Sequence, residues 1–426
     1  MAKQITIKIN DQEFKATNNK TIIQVADANN IYIPRFCYHK KLSVAANCRM
    51  CLVVVKGARK ALPACATPIT EGMCIDTKSE AVKQNQKKIM EFLLINHPLD
   101  CPICDQGGQC DLQDLALEYG ADRSRYNYAK NTFQDKNLGS LVATSLNRCI
   151  KCSRCVRFGQ EIAAKHDLDI INRGELAEIS NFVDDMLSSE ISGNIIDICP
   201  VGALLSKPFL FRARAWELTA KASISQHDCL SSNIYYHTLR NKVMRVAPKI
   251  NENINETWLS DRDRFSYLGL YAKDRIYQPL IKKKQVTWQM ALDYFSQIVT
   301  NLKQTKQAKL AILLSANTTN EEAYLIYQLA THLTNNMQVA VEYRLWQQDF
   351  NDDDDINENF VSEINATTLE KQQQILLIGS KIEHEVTLLE TRIRKSKADV
   401  IYLASQHTNC SKTELLLSTQ KNKIAL

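Results

Sequence analysis

The stretch from Asn96 to Asp111, NHPLDCPICDQGGQCD, constrains this chain more than any other. It gathers His97, Cys101, Cys104 and Cys110, four side chains able to bind metal, within a short length of backbone. Two cysteines separated by two residues can turn both sulfurs to one centre, while Pro98, Pro102, Gly107 and Gly108 oppose a helix that would splay them. The pattern predicts a loop wrapped around a metal. Iron-sulfur and a zinc site of three cysteines and one histidine both satisfy it, and a disulfide pair is the third alternative.

Composition narrows the setting. The chain has 426 residues, 45% hydrophobic and 23% charged, enough for several domains and a sizeable core. A formal charge of +6 with no long basic run gives a nucleic-acid role little support. No stretch approaches the 18 apolar residues of a membrane span. MAKQITIKIN lacks the apolar core of a signal peptide and the Arg-rich look of a transit peptide, so synthesis and function are expected in one compartment. The 14 cysteines then read as metal ligands rather than disulfides.

ITIKIN and EFKAT, around Asn10 and Asp11, predict a β-hairpin, and TIIQVADANN an amphipathic helix. Cys37, Cys48, Cys51 and Cys65 follow, with ten, two and thirteen residues between them. A plant-type ferredoxin holds a 2Fe-2S cluster with three cysteines on one loop and a fourth farther on, the same arrangement with a shorter first gap. The alternative is four unrelated buried cysteines. Cys74, nine residues beyond, reads as packing. Residues 81 to 95 predict a helix with Val82, Ile89 and Leu93 on one face, and DLQDLALEYG a short helix ended by Gly120. ADRSRYNYAKNTFQDKNLGS predicts a surface loop.

Cys149, Cys152 and Cys155, with Cys199 before Pro200, match one complete ligand set of a bacterial two-cluster ferredoxin, in which a fourth cysteine before proline serves the cluster of the other run. The second set is broken: Gly159, Ser189, Ser192 and Ile195 stand at its positions. One 4Fe-4S site is expected here, and the other is lost. Beside it, the His97 loop reads as a third iron-sulfur site.

FCYHKKLSVAANCRMCLVVV, NHPLDCPICDQGGQCDLQD, RCIKCSRCVRFGQEIA and CPVGALLSKPFLFRARAWEL resemble the family of large iron-sulfur subunits of respiratory complex I, the NADH-quinone oxidoreductase G subunits. The likeness covers residues 1 to about 280 and weakens beyond. It implies one 2Fe-2S cluster on Cys37, Cys48, Cys51 and Cys65, and two 4Fe-4S clusters, one on His97, Cys101, Cys104 and Cys110, the other on Cys149, Cys152, Cys155 and Cys199. Ala46 stands where the family has glycine, which implies slight strain in the binuclear loop.

The resemblance implies an α+β chain followed by α/β: a 2Fe-2S ferredoxin-like β-grasp domain over 1–80, a helix with the histidine-and-cysteine 4Fe-4S segment over 81–120 and a 4Fe-4S ferredoxin-like domain over 121–215. A β-rich molybdopterin-oxidoreductase-type 4Fe-4S domain without its ligands then covers 216–272, and a truncated α/β molybdopterin-oxidoreductase-like domain 273–426. In the fourth domain the family's cysteine positions hold Ser225, Asp228, Ser232 and Ser260, with Cys229 offset, so no cluster is expected. In the fifth, KLAILLSA, QILLIGS and DVIYLAS predict strands, and NEEAYLIYQLATHL and EVTLLETRIRKS helices. LLIGSKIEHEVTLLETRIRKS resembles a segment that contacts the pterin nucleotide in molybdoenzymes, yet no GxGxxG or P-loop follows a strand. No molybdopterin and a structural role are expected there, with NDDDD at 351–355 a solvated loop. The end at Leu426 suggests a truncated or split domain whose open edge needs cover.

The family implies a component of proton-translocating NADH:ubiquinone reductase that relays single electrons from a flavin- and NADH-binding subunit toward quinone, with no catalytic residues or substrate site of its own. Its expected place is peripheral, without membrane insertion, on the matrix side of the mitochondrial inner membrane if organelle-encoded, otherwise the cytoplasmic side of a bacterial inner membrane. Other hydrophilic subunits are expected partners. The electron-feeding part of an iron hydrogenase or NAD-linked formate dehydrogenase, and a zinc-stabilised interaction protein, are the alternatives.

Overall fold

A computed structural model describes residues 3–181, 186–304, 310–315, 318–333, 337–341, 365–404 and 413–418. Contacts divide the chain into two compact units. Met1–Ser225, Ser232–Phe265 and Ala366–Leu426 form one, and Gln226–Ser231 with Ser266–Asn365 the other.

The first unit opens on the predicted hairpin, β1 (Gln4–Ile9) and β2 (Gln12–Thr17). Asn10 and Asp11 turn it with φ of 49° and 65°, the left-handed pair that a two-residue hairpin needs. Alternation sends Ile5, Ile7 and Ile9 of β1 into the core. There they meet Ile22, Ile23, Val25 and Ala26 of α1 (Ile22–Ala28), each large side chain contributing about 1.5–3 kcal/mol by burial. β3 (Leu52–Val55), β4 (Leu62–Pro63) and β5 (Cys74–Asp76) complete a five-stranded sheet in the order β2-β1-β5-β3-β4, with β5 parallel to β1. Cys51 and Cys65 sit in this core, so ligand placement and packing are one problem.

The Asp76 carboxylate accepts from the backbone N–H groups of Lys78 and Ser79, both at 2.8 Å, and so starts α2 (Glu80–Leu94). Val82, Gln86 and Met90 form its fully buried stripe, whereas Ile89 and Leu93 are half-buried. The face is therefore turned from the one that apolar spacing predicts, because buried Gln86 carries no apolar signal. α3 (Asp111–Tyr119) follows, and at Gly120 a Cβ would lie 2.2 Å from the Ala116 carbonyl oxygen, which is why glycine ends it. Residues 121–141 contain no helix or strand, as predicted.

β6 (Val142–Thr144), α4 (Arg154–Phe158), β7 (Asp169–Ile171), β8 (Glu178–Ser180), α5 (Asn194–Ile198) and β9 (Leu204–Ser206) build two short antiparallel pairs, β6-β9 and β7-β8, with helices between. An antiparallel meander of β10 (Thr219–Ile224), β11 (Asn233–Leu239) and β12 (Lys242–Pro248) comes next, then α6 (Asp261–Phe265).

The second unit holds the hairpin β13 (Leu280–Ile281) and β14 (Lys284–Gln285), then α7 (Trp288–Gln304), β15 (Leu310–Leu314), α8 (Asn320–Leu333) and β16 (Met337–Val341), with β15 and β16 parallel. The NDDDD run lies outside the described residues. Back in the first unit, α9 (Ala366–Leu369), β17 (Gln374–Ile378), α10 (Ile382–Glu385), α11 (Thr387–Lys395), β18 (Asp399–Ala404) and β19 (Thr413–Ser418) form a three-stranded parallel sheet with its helices. Both parallel groups carry the predicted α/β signature.

Glu256 ties distant parts of the first unit together. Its buried carboxylate accepts from the indole nitrogen of Trp258 at 3.1 Å and pairs with Lys41 at 3.2 Å, Arg392 at 3.3 Å and Lys395. Burial pushes its pKa up, but Lys395, Lys41 and Arg392 hold it below the ordinary value.

Candidate metal centres

Cys37, Cys48, Cys51 and Cys65 are all buried and stand against one another. The backbone N–H of Cys37 donates to Cys48 Sγ at 3.4 Å. Hydrogen bonds from the Cys48 and Cys65 side chains hold the Cys37 thiol down to about 2, while the contact with Cys37 pushes both of those thiols up. Four sulfurs this close share protons because they cannot all be anionic without a cation among them. Ala46 and Arg49, on the loop between, have φ of 50° and 58°. A left-handed alanine costs about 1–2 kcal/mol, so the departure from glycine does carry strain. Cys74 stands apart, its sulfur 3.6 Å from the Gly72 carbonyl.

Cys149, Cys152, Cys155 and Cys199 line one small cavity with Leu146 and Val201. Lys151 and Ser153 take left-handed φ of 54° and 60°, which bends the backbone between the three clustered cysteines. Burial pushes Cys149, Cys152 and Cys199 up to about 11 and Cys155 well above its ordinary value. A donor set ringing a cavity with thiols that resist ionising in isolation fits a cationic polynuclear group, whose arrival would release those protons.

The third set is looser. Cys104 and Cys110 are buried and Cys101 is exposed. Cys110 caps the start of α3, and its sulfur lies 3.7 Å from the Pro200 carbonyl. A Cβ on Gly202 would fall 2.3 Å from Cys104 Sγ, so this loop rests directly on the one that carries Cys199. Burial, then Arg148 and Lys130, lower His97 to about 4. Its Nδ1 is buried without a hydrogen-bond partner, and a neutral imidazole with an orphaned ring nitrogen suits a ligand. Among the described residues no group of three or more His, Cys, Asp or Glu side chains is preset to hold a single metal ion.

Several residues that spacing does not flag hold these loops. Arg214 donates to the carbonyls of Cys104, at 2.7 Å, and Pro102. Asp105 accepts from the Phe211 N–H at 2.6 Å, and Arg148 pairs with Asp100 at 3.0 Å. Trp216 covers Gly108, which has φ of 84° and where a Cβ would meet the indole at 2.6 Å. Their signal was the arginines interleaved in RCIKCSRCVRFGQ and FRARAW.

At the broken ferredoxin set Ser192 is tied into the following domain, while Ser189 lines an open pocket with Ala163, Ala164 and Lys165. Ser192 Oγ and the Gly193 N–H donate to the Asp261 carboxylate at 2.6 and 2.7 Å. The Asn194 side chain donates to the Leu259 carbonyl at 2.6 Å and accepts from the Leu259 N–H at 2.9 Å, and Arg264 pairs with Asp197. In the meander domain Ser225 Oγ donates to Asp263 at 2.5 Å and Ser260 Oγ accepts from the Asp263 N–H at 3.0 Å. Cys229 is exposed, and Cys410 lies outside the described residues.

Known families cover the chain in the same order. Residues 2–80 match the 2Fe-2S iron-sulfur cluster binding domain, and residues 86–125 the NADH-ubiquinone oxidoreductase-G iron-sulfur binding region. Residues 139–205 match the NADH-quinone oxidoreductase subunit 3 ferredoxin-like domain, and residues 218–268 the NADH-ubiquinone oxidoreductase NDSU1/NuoG-like 4Fe-4S domain. Residues 275–426 match molybdopterin oxidoreductase. Both 2Fe-2S and 4Fe-4S chemistry are thus written into the chain. An NAD+-reducing nickel-iron hydrogenase in its H2-reduced state is similar at 26% identity over 49% of this chain and 90% of that one, with a TM-score of 0.46.

The NADH-ubiquinone oxidoreductase 75 kDa subunit of Reclinomonas americana is 41% identical over 404 residues, 92% of this chain and 58% of the relative. The NADH-quinone oxidoreductase G subunit of Rickettsia felis is 41% identical over 393 residues, 91% and 57%. The mitochondrial NADH dehydrogenase (ubiquinone) iron-sulfur protein 1 of Solanum tuberosum is 40% identical over 397 residues, 92% and 53%. The chain belongs to the family of NADH-quinone oxidoreductase G subunits and mitochondrial 75 kDa subunits, and it spans a little over half the length of these relatives.

Proposed function

We propose that this chain is an electron-carrying subunit of an NADH:quinone oxidoreductase, complex I. Cys37, Cys48, Cys51 and Cys65 hold a 2Fe-2S cluster; His97, Cys101, Cys104 and Cys110 hold one 4Fe-4S cluster, and Cys149, Cys152, Cys155 and Cys199 another. When bound, such groups supply one-electron redox chemistry. The protein positions the ligands, keeps water from most of the thiols, and surrounds the tetranuclear loops with arginines that offset negative charge.

One observation carries the reading: the three donor sets are contiguous. Arg157 donates to carbonyls of both Cys37 and Cys152, and Cys104 packs on Gly202, three residues past Cys199. A row of adjoining centres with no flavin or nicotinamide motif in the chain is suited to relay electrons rather than to take a hydride. A flavin- and NADH-binding subunit supplies electrons, other hydrophilic subunits receive them, and the chain sits peripherally on the inner side of an energy-transducing membrane. Among the described residues no helix is long and apolar enough to cross one. The meander domain, with Ser225, Asp228, Ser232 and Ser260 at its ligand positions, carries no cluster, and the α/β portion is structural and binds no molybdopterin.

Iron, acid-labile sulfide and zinc per chain on anaerobically prepared protein, followed by low-temperature EPR after reduction, test this. About ten iron atoms, with one binuclear and two tetranuclear signals, are expected. About fourteen would place a cluster in the meander domain, and zinc in place of iron would sink the electron-carrier reading.

A further inference from the structure

Arg154 and Arg157 stand one turn apart on α4, each only 8% exposed, and each reaches from one ligand loop to another. Arg157 Nη2 donates to the Cys37 carbonyl at 2.6 Å and to the Cys152 carbonyl at 3.3 Å, its Nη1 to the Ser43 carbonyl, and its Nε to Ser153 Oγ at 3.2 Å. Arg154 Nη2 donates to the Tyr38 carbonyl at 2.8 Å, and its Nη1 to the Ile198 carbonyl at 3.1 Å. One guanidinium thus bridges two candidate ligands, Cys37 and Cys152, and the other bridges their counterparts' immediate neighbours, beside Cys37 and beside Cys199.

We propose that Arg157, flanked by Arg154, is a positioning residue that fixes the binuclear loop against the tetranuclear loop and raises the reduction potential of both centres. The inference rests on the cluster assignment above. A guanidinium is a permanent cation with a planar fork of donors, so it can hold two carbonyls at once and keep its charge there. Placed in a water-poor region between two sites that each become more negative on reduction, that charge favours adding an electron to either. An electron moving between them is lost at one centre and gained at the other. A lysine would retain the charge as a compact ammonium without the fork. A role in packing alone would leave both potentials where they are once the clusters are in place.

The test is an EPR-monitored redox titration of the full chain, loaded anaerobically with iron and sulfide, for wild type, Arg157→Gln and Arg157→Lys. In Arg157→Gln the reduction equilibrium of both centres is expected to move roughly tenfold toward the oxidised form, about 59 mV downward for one electron. Arg157→Lys should shift both in the same direction by less. A fully loaded glutamine variant with both midpoints unchanged, or with only one moved, overturns the proposal. Should that variant not take up its clusters, the lysine variant decides. Downward shifts at both centres support the bridge, and a wild-type value at either overturns it. A wild-type chain that binds no iron would instead sink the cluster assignment itself, so the two failures are told apart.

Discussion

Around Cys149, Cys152, Cys155 and Cys199 the thiols line one small cavity, whereas at the broken set Ser192, Gly193 and Asn194 are bonded to the following domain and Ser189 lines a separate open pocket. Both places match ligand positions of a two-cluster ferredoxin. Where thiols remain, each is costly to ionise alone, so the site stays a receptacle for a cationic group. Where they are gone, short polar side chains turn to the nearest complement, which is α6 of the following domain. The segment around Ser192 is a socket for the following domain.

The largest effect should come from exchanging the two characters. Cys152→Ser is expected to lower iron from about ten to about six atoms per chain and remove one tetranuclear EPR signal. The mirror variant, Gly159→Cys with Ser189→Cys, Ser192→Cys and Ile195→Cys, should add no iron, because Ser192 and its neighbours are engaged by Asp261 and Leu259. A gain of about four atoms would break the comparison.

Next comes Gly202→Ala. Its methyl group would collide with Cys104 Sγ, and the expected result is loss of the histidine-ligated signal by EPR. Full retention of that signal would show that the two loops do not lean on each other. Asp261→Ala strands Ser192 Oγ and the Gly193 N–H inside the protein. A stability loss of roughly 2–4 kcal/mol is expected in denaturant titration, from two buried donors left unpaired; less than 1 kcal/mol would mean the socket is not filled as described.

A subtler change distinguishes the histidine. His97→Cys replaces a neutral ligand by a thiolate, and in a redox titration the midpoint of that centre should fall, by roughly tenfold in its reduction equilibrium or about 59 mV. The smallest effect is a pH slope. Burial raises Asp261 above its ordinary value of 3.8, so between that value and its folded value the native chain holds a proton the unfolded chain has released. Stability from this group is therefore full below pH 3.8 and declines as pH rises through the folded value. In Asp261→Asn that component should vanish from unfolding curves recorded across this range, and an unchanged slope would assign it elsewhere.

The candidate donor sets stood out in the sequence because bonding to metal demands particular residue types at short intervals. The hairpin at Asn10 and Asp11 and the helices after Cys110 and at Asn320 were legible too, since local turn chemistry and apolar period determine them. Arg148, Arg157 and Arg214 escaped notice for a physical reason: they act on carbonyls or on a carboxylate brought near by folding, which impose no spacing. Gly202 and Asp261 escaped likewise, each defined by a contact with a loop about seventy to a hundred residues away. The grouping of 366–404 with the cysteine-bearing region depends on contacts such as Arg392 to Glu256, and no local pattern announces that.

That last contact bears on how the molecule could be cut down. Glu256 draws its partners from Lys41 near the start, Trp258 beside it, and Arg392 and Lys395 far along the chain. An abbreviated version stopping at Phe265 would contain every proposed iron ligand, yet it would leave this carboxylate with Lys41 as its one remaining cation among those four partners, and breaking a buried pair costs on the order of 3–5 kcal/mol. The smallest piece that holds every proposed ligand and keeps this network therefore extends well past the last of them, and its boundary is set by α11 rather than by any cysteine.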